Sequence, residues 1–200
     1  YLGGGAISAG AHDGLRMIAE RYQIPVTTTL MGKGAFDEND PLSVGMLGMH
    51  GTYEANLAMH GCDLMLNLGA RFDDRVTGLI SGFSPNSTKI HCDIDPSSVN
   101  KNVAVDLAVI GDATKILEAL IAEMKKRKFK PHKTSLDKWW SQIEVWRKRD
   151  CLRFNQTGSI IKPQHAIKRL CEMTAERDVY VTTEVGQHQM WAAQYFDFHL

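Results

Sequence analysis

Short apolar runs that stop on glycine or aspartate and pass at once into helical spacing recur along the first 126 residues. Tyr1-Leu2 runs into Gly3-Gly4-Gly5, Ile24–Leu30 into the Gly32–Gly34 turn, and Leu64–Leu68 into Gly69. Lys89–Ile94 ends at Asp95-Pro96, and Leu107–Ile110 at Gly111-Asp112. Apolar runs of this length read as buried strands, and their alternation with helical patterns is the signature of a parallel sheet with crossover helices. The helical stretches are Ala11–Tyr22, with Leu15, Ile18 and Ala19 on one face, a segment near Tyr53–His60, and a helix opened by Asp112 as N-cap and running to Lys126. Gly45-Met46-Leu47-Gly48-Met49-His50-Gly51 reads as a glycine-rich loop. The expected class is α/β, with a Rossmann-like parallel sheet over residues 1–126.

Beyond it the pattern changes. Residues 127–162 read as a linker: basic and irregular over Phe129–Thr134, then a helix from Leu136 to Phe154 that carries Trp139, Trp140 and Trp146. With Ile143 and Val145 beside them, the tryptophans are expected to pack on the neighbouring domain. Pro163 suits the first turn of a further helix. Val179–Thr183 reads as a strand, and Gly186 introduces a last helix through Tyr195. A new α/β unit is thus expected over 163–200. Opening on a strand end and closing a few residues into a new unit, the chain is expected to be an excerpt of a longer protein.

Composition narrows the functional classes. Lys and Arg number 23 against 23 Asp and Glu, so nothing points to nucleic acid, whose partners carry basic patches. The Lys125–Lys130 basic run reads as a solvated helix end. No apolar stretch approaches the roughly 20 residues that span a bilayer. Cys62, Cys92, Cys151 and Cys171 have neither CxxC nor zinc spacing; Cys62 and Cys92 sit in apolar runs and read as buried thiols, which suits a reducing compartment.

The strand ends hold the candidate chemistry, because ligands in open α/β sheets sit at the carboxyl ends of strands. Gly3-Gly4-Gly5-Ala6-Ile7-Ser8 either exposes amides to a phosphate or is simply a tight turn; Ser8 stands where the dinucleotide pattern wants its third glycine. Gly69-Ala70-Arg71-Phe72-Asp73-Asp74-Arg75-Val76 would clamp a diphosphate and a sugar or ring, or else pair its charges among themselves. Asp93, Ile94 and Asp95 suit a ribose or ribityl hydroxyl, with Asp95 also a turn former. Asp112 and Ala113 again present a carboxylate and amides. His91 and His165 read as structural, and no convincing catalytic base or metal set appears. These residues describe a nucleotide- or flavin-binding module.

Gly45–Asn56, Gly69–Arg75 and Val185-Gly186-Gln187-His188-Gln189-Met190-Trp191 closely resemble the acetolactate synthase (acetohydroxyacid synthase) catalytic subunit family, about a third of which the chain would cover. The resemblance implies a central DHS-like FAD-binding domain over 1–126, a connection, and from Pro163 the start of the domain that binds thiamine diphosphate through Mg²⁺. It implies FAD contacts from Gly4, Gly5, Thr29, Leu30, Met31, Leu47, Gly48, Met49, His50, Gly69, Arg71, Asp73, Arg75, Val76, Asp93, Ile94, Asp112 and Ala113. Val185, Gly186, Gln187 and His188 would meet the thiamine diphosphate. The activity implied joins two 2-oxo acids, pyruvate with pyruvate or 2-oxobutyrate, with loss of CO₂ on the way to branched-chain amino acids, in a homodimer or tetramer with a small regulatory subunit. It is placed in bacterial cytoplasm or a eukaryotic organelle. The activating glutamate and the metal motif of the family fall outside these 200 residues, so no catalytic or metal residue is assigned here. Pyruvate oxidase or glyoxylate carboligase, and a stand-alone nucleotide-binding module, are the rival readings.

Overall fold

The computed structural model describes residues 1–198. After Leu2 and Gly3 come α1 (Gly4–Ser8) and α2 (His12–Tyr22), then β1 (Val26–Thr28), β2 (Ser43–Met46), α3 (Tyr53–Gly61) and β3 (Leu64–Leu68). A short α4 (Asp74–Thr77) precedes β4 (Thr88–Asp93) and β5 (Leu107–Ile110). The chain ends in four helices: α5 (Ala113–Lys126), α6 (Lys133–Arg147), α7 (Pro163–Thr174) and α8 (Gln187–Tyr195).

All strand pairs are parallel. β1 pairs with β2, and β3 with β4 and β4 with β5 in unbroken register from Leu64↔Thr88 to Asp93↔Ile110. Leu2 bridges Thr28 on one side and Leu68 on the other, so the opening residues join the two groups. The lateral order is therefore β2, β1, Leu2, β3, β4, β5. The chain winds outward in one direction and then, from β3, in the other. That doubly wound order leaves a crevice at its reversal, outside the carboxyl ends of the Leu2 segment and β3.

Side-chain alternation sorts the core into two faces. Leu68 and Cys92 face α2 and α5, where Leu15, Ile18, Ala19, Tyr22 and Leu117 supply the 3.6-period stripe. Met65 faces the opposite way, with Phe72, Phe83 and Val103. α2 ends because Gln23 turns left-handed at φ 54° and donates its N–H to Ala19 O. α5 starts where Asp112 accepts from the Lys115 N–H at 3.1 Å, the N-cap expected from sequence. The tryptophan helix α6 packs back on this unit: Ile143 is fully buried beside Val44, Leu47, Ala55 and Ala58, and Trp140 Nε1 donates to Gln23 O at 2.8 Å.

Four expectations need correction. Gly45 and Met46 belong to β2 rather than to a loop; Val44 and Met46 alternate inward, and Gly45 takes φ +87°, which removes the strand's outward appearance in sequence. The tryptophan helix runs 133–147 rather than 136–154. Val179–Thr183 is not a strand: among the described residues no neighbour offers a ladder, and Tyr180 is 88% exposed. Cys92 is buried, its thiol pushed up to about 11 by that burial, but Cys62 is only half-buried. Among the described residues no helix is long and apolar enough to cross a membrane.

The reversal point is closed by backbone alone. Gly3 N–H donates to Leu68 O at 2.9 Å and Gly5 N–H to Gly69 O at 3.0 Å. A Cβ on Gly3 would lie 2.1 Å from Gly69 O, and one on Gly69 2.6 Å from Gly5 Cα. Gly3→Ala is therefore expected to lower the unfolding free energy by about 3 kcal/mol or more. Gly82→Ala, whose nearest atom would be 3.9 Å away, should change it by under about 0.5 kcal/mol. Urea denaturation of the two variants makes the comparison.

Candidate functional site

The crevice at the sheet reversal opens into a cleft of about 950 Å³, within the range of small-molecule and cofactor sites. Each wall is a loop shaped by its own hydrogen bonds. On one side Thr29 Oγ1 accepts from the Gly32 N–H at 3.0 Å, which coils Leu30–Gly32 into a 3-10 turn and leaves Met31 74% exposed. Asn56 grips Gly48 twice: the Gly48 N–H donates to Asn56 Oδ1 at 2.8 Å, and Asn56 Nδ2 donates to Gly48 O at 3.0 Å. This fixes the Leu47–His50 loop and presents Met49, 61% exposed.

The third wall follows β3. Asn67 is fully buried in the apolar strand, yet Nδ2 donates to Ala70 O at 2.6 Å and Oδ1 accepts from the Ala70 N–H at 3.2 Å, so the Gly69-Ala70 turn is pinned from beneath. Phe72 turns inward at φ 53°, its carbonyl accepting from Asn102 Nδ2 at 2.9 Å. Arg71 on one side of it and Arg75 beyond are exposed. Asp73 Oδ1 accepts from the Arg75 N–H at 3.0 Å and caps α4. Among the described residues neither arginine has a carboxylate within 4.0 Å. The self-paired surface cluster that the sequence left open is thus absent, and two cations stand free at the cleft.

The structure gathers most of the expected residues: Gly4, Gly5, Thr29, Leu30, Met31, Leu47, Met49, His50, Gly69, Arg71, Asp73, Arg75, Val76 and Asp93, with Val185, Gly186 and Gln187 from the start of α8. Five stand apart. Gly48 lies behind the wall, where its φ of +102° and a would-be Cβ 2.8 Å from Arg75 O make it the contact between two loops. Ile94 points to solvent. Asp112 and Ala113 cap α5 past β5, the edge strand, away from the reversal. The His188 ring lies against Gly186 instead of the cleft, its Cε1 3.0 Å from where a Gly186 Cβ would be.

The walls also carry Met46, Ser98, Gln189 and Met190, which sequence reasoning did not assign to the site, and Gly3, Ala70 and Asp74, which lie inside the strand-end motifs it had singled out. Ser98 had a local signal: Asp95 accepts from the Ser97 N–H at 2.9 Å, so the Asp-Pro turn coils back toward the cleft. Gln189 and Met190 had none, since nothing in their spacing says that α8 returns to the first domain. It does so through Gln194 Nε2, which donates to His50 O at 2.9 Å. Among the described residues no group of three or more His, Cys, Asp or Glu is arranged to hold a metal ion.

Residues 1–120 match the family described as "Thiamine pyrophosphate enzyme, central domain". The chain belongs to that family. It is 51% identical over 195 residues to the acetolactate synthase large subunit of Parasynechococcus marenigrum (strain WH8102), covering 98% of this chain and 31% of that protein. Against the acetolactate synthase isozyme 3 large subunit of Escherichia coli (strain K12) the identity is 45% over 198 residues, 99% of this chain and 34% of the relative. The acetolactate synthase large subunit of Porphyra purpurea is 45% identical over 195 residues, 98% and 32% respectively. The chain spans about a third of the length of these relatives.

Asn67 is the residue whose loss tests how the arginine wall is built. Asn67→Ala leaves the Ala70 N–H and C=O unpaired in a buried place, at roughly 1–3 kcal/mol for each stranded group. The expected outcome is a stability loss of about 3 kcal/mol and faster amide exchange over residues 69–76, with β3–β5 still protected. Hydrogen-exchange mass spectrometry reads both.

Proposed function

We propose that this chain is the flavin-binding part of an acetolactate synthase large subunit, and that the cleft at the sheet reversal takes FAD. The observation that carries the reading is the pair of unpaired arginines, Arg71 and Arg75, set between two glycine loops at the carboxyl edge of a doubly wound sheet. The residues present fit a dinucleotide of this kind. Arg71 and Arg75, with the amide of Gly4, suit a diphosphate. The exposed thioethers of Met31 and Met49 offer soft apolar surfaces to flat rings. Asp93 suits the hydroxyls of a ribose or ribityl chain.

Thiamine diphosphate, held with Mg²⁺ in the whole protein, supplies the carbanion chemistry by which pyruvate loses CO₂ and joins a second 2-oxo acid. The residues of this chain bind and orient. Val185, Gly186, Gln187 and His188 are assigned to the diphosphate end of that cofactor, because α8 starts at Gly186 with no side chain capping its first amides. The unit 1–126 is read as the flavin domain, 127–162 as the connection, and 163–200 as the start of the thiamine diphosphate domain. The parent protein is read as a homodimer or tetramer of large subunits with a small regulatory partner, working in cytoplasm or an organelle. The names of the relatives support acetolactate synthase over the pyruvate oxidase and glyoxylate carboligase readings.

Titration with FAD, followed by quenching of flavin fluorescence, tests the cleft, and acetolactate formation from pyruvate with thiamine diphosphate and Mg²⁺ tests the activity of the complete protein. Arg71→Ala and Arg75→Ala should each weaken flavin binding by about tenfold, the worth of one charge-assisted hydrogen bond. Wild-type flavin content in both variants after dialysis would overturn the assignment. His188→Ala should raise the thiamine diphosphate needed for half-maximal activity and leave turnover at saturation near normal; an unchanged requirement makes His188 a packing residue.

A further inference from the structure

One face of β4 carries a polar row where the opposite face is apolar. Lys89, His91 and Asp93 alternate along it toward the carboxyl edge of the sheet. Lys89 is buried and satisfied, its Nζ donating to Ser84 O at 2.8 Å and Ser87 O at 3.1 Å. Asp93 reaches the cleft, and its Oδ1 accepts from the Asp95 N–H at 2.9 Å. Between them His91 is fully buried, and among the described residues neither ring nitrogen has a hydrogen-bond partner. Buried polar atoms without partners are rare and call for a reason.

The geometry supplies one. The imidazole is held edge-on against Phe72, ring centroids 5.0 Å apart and 71° between planes, and it stands in register with Asn67 on β3. Asn67 is spent on Ala70 and Phe72 offers no acceptor. Asp93 Oδ2, from a residue that lines the cleft, stands 3.5 Å from His91 Nε2. One carboxylate oxygen is thus fixed by a backbone amide and the other faces a rigidly seated ring nitrogen. A small rotation of Asp93 about its side chain turns that approach into a hydrogen bond.

We propose that His91 is a positioning residue: its Nε2–H holds the Asp93 carboxylate at the cleft wall, so that a hydroxyl-bearing ligand meets an acceptor already aimed. This rests on the reading of the cleft as a flavin site, and it assigns a role to a residue that touches no ligand. The same ring, seated on Phe72, braces the loop from which Arg71 and Arg75 project, so the carboxylate and the arginines share one support.

Two measurements on the complete protein separate this from a packing role and from failure of the flavin reading. The first needs no ligand. In protein labelled with ¹⁵N-histidine, the ring resonances of His91 should report a protonated Nε2, and Asp93→Asn should shift that resonance; an unshifted resonance overturns the contact whether or not flavin binds. The second uses FAD as probe. His91→Leu, close in volume and without polar atoms, should leave the melting temperature near that of the wild type, since the lost contact to Asp93 is offset by removal of the unpaired buried Nδ1. It should nonetheless weaken FAD binding by roughly tenfold, the scale of one hydrogen bond to a charged group. His91→Gln, whose amide can donate from near the same place, should restore affinity to within about twofold. Combined with Asp93→Asn, His91→Leu should add no further loss, as expected of residues that act through one another. Wild-type affinity in His91→Leu, an equal loss in His91→Gln, or additive losses with Asp93→Asn would each overturn the proposal. Absence of FAD binding in the wild-type protein would refute the flavin reading and leave the resonance test to decide His91.

Discussion

Everything at the functional end of this molecule depends on two loops touching backbone to backbone. Gly3 and Gly5 lie against Gly69 with no room for a methyl group between them, and the Gly3 and Gly5 amides donate to the carbonyls of Leu68 and Gly69. The contact joins the β1–β2 pair to β3–β5, the two groups that Leu2 bridges. At this contact the crevice is lined by the glycines Gly3, Gly4, Gly5 and Gly69, and the larger side chains enter from the strand ends and loops around it. A sheet reversal closed by side chains would fill the space where a ligand backbone or phosphate must approach.

A second economy keeps the arginines available. Acids flank both of them, and at a bare surface Asp73 and Asp74 would pair with Arg71 or Arg75 for at most about 1 kcal/mol. Asp73 instead accepts from the Arg75 amide as the cap of α4, a use worth about as much. Asp95 is likewise held by Ser97, which keeps its carboxyl below the usual aspartate range. Three amide side chains, Asn56, Asn67 and Asn102, then hold the loops by their backbones. With shape fixed through main-chain contacts, the charges need not be used for folding. Both arginines thus stay at the cleft wall beside Asp73 and Asp74 without being tied to them.

The regular elements were legible because their period is local. Leu64–Leu68 and Leu107–Ile110 emerge as strands at the residues read from the sequence, and Asp112 caps the helix assigned to it. What periodicity lacks is lateral order. Asp93 and Asp112 both follow an apolar run and look equivalent in sequence. In the sheet, β4 lies next to β3 at the reversal while β5 is the edge, so the first carboxylate reaches the cleft and the second caps a helix. Val179–Thr183 failed for the complementary reason: β-branched residues permit a strand, but a ladder needs a neighbour. Asn67 and His91 carried a readable signal, a polar residue at an inward position of an apolar strand, yet its meaning appears only once the partners across the sheet are known.

The walls of the cleft also differ in how firmly they are held. Three of them are loops at the ends of buried strands, each anchored by hydrogen bonds to buried or half-buried partners. The fourth, residues 185–190, comes from a part of the chain where α7 buries no residue and Val185 is exposed. It is tied down further along, where α8 buries Ala192 and Ala193 and Gln194 Nε2 donates to the His50 carbonyl. Local opening costs least where few apolar contacts and few buried hydrogen bonds must be broken. The exposed Val185 end of this wall, ahead of the buried alanines, therefore has the least to break, and the glycine, methionine and arginine walls are the more firmly held.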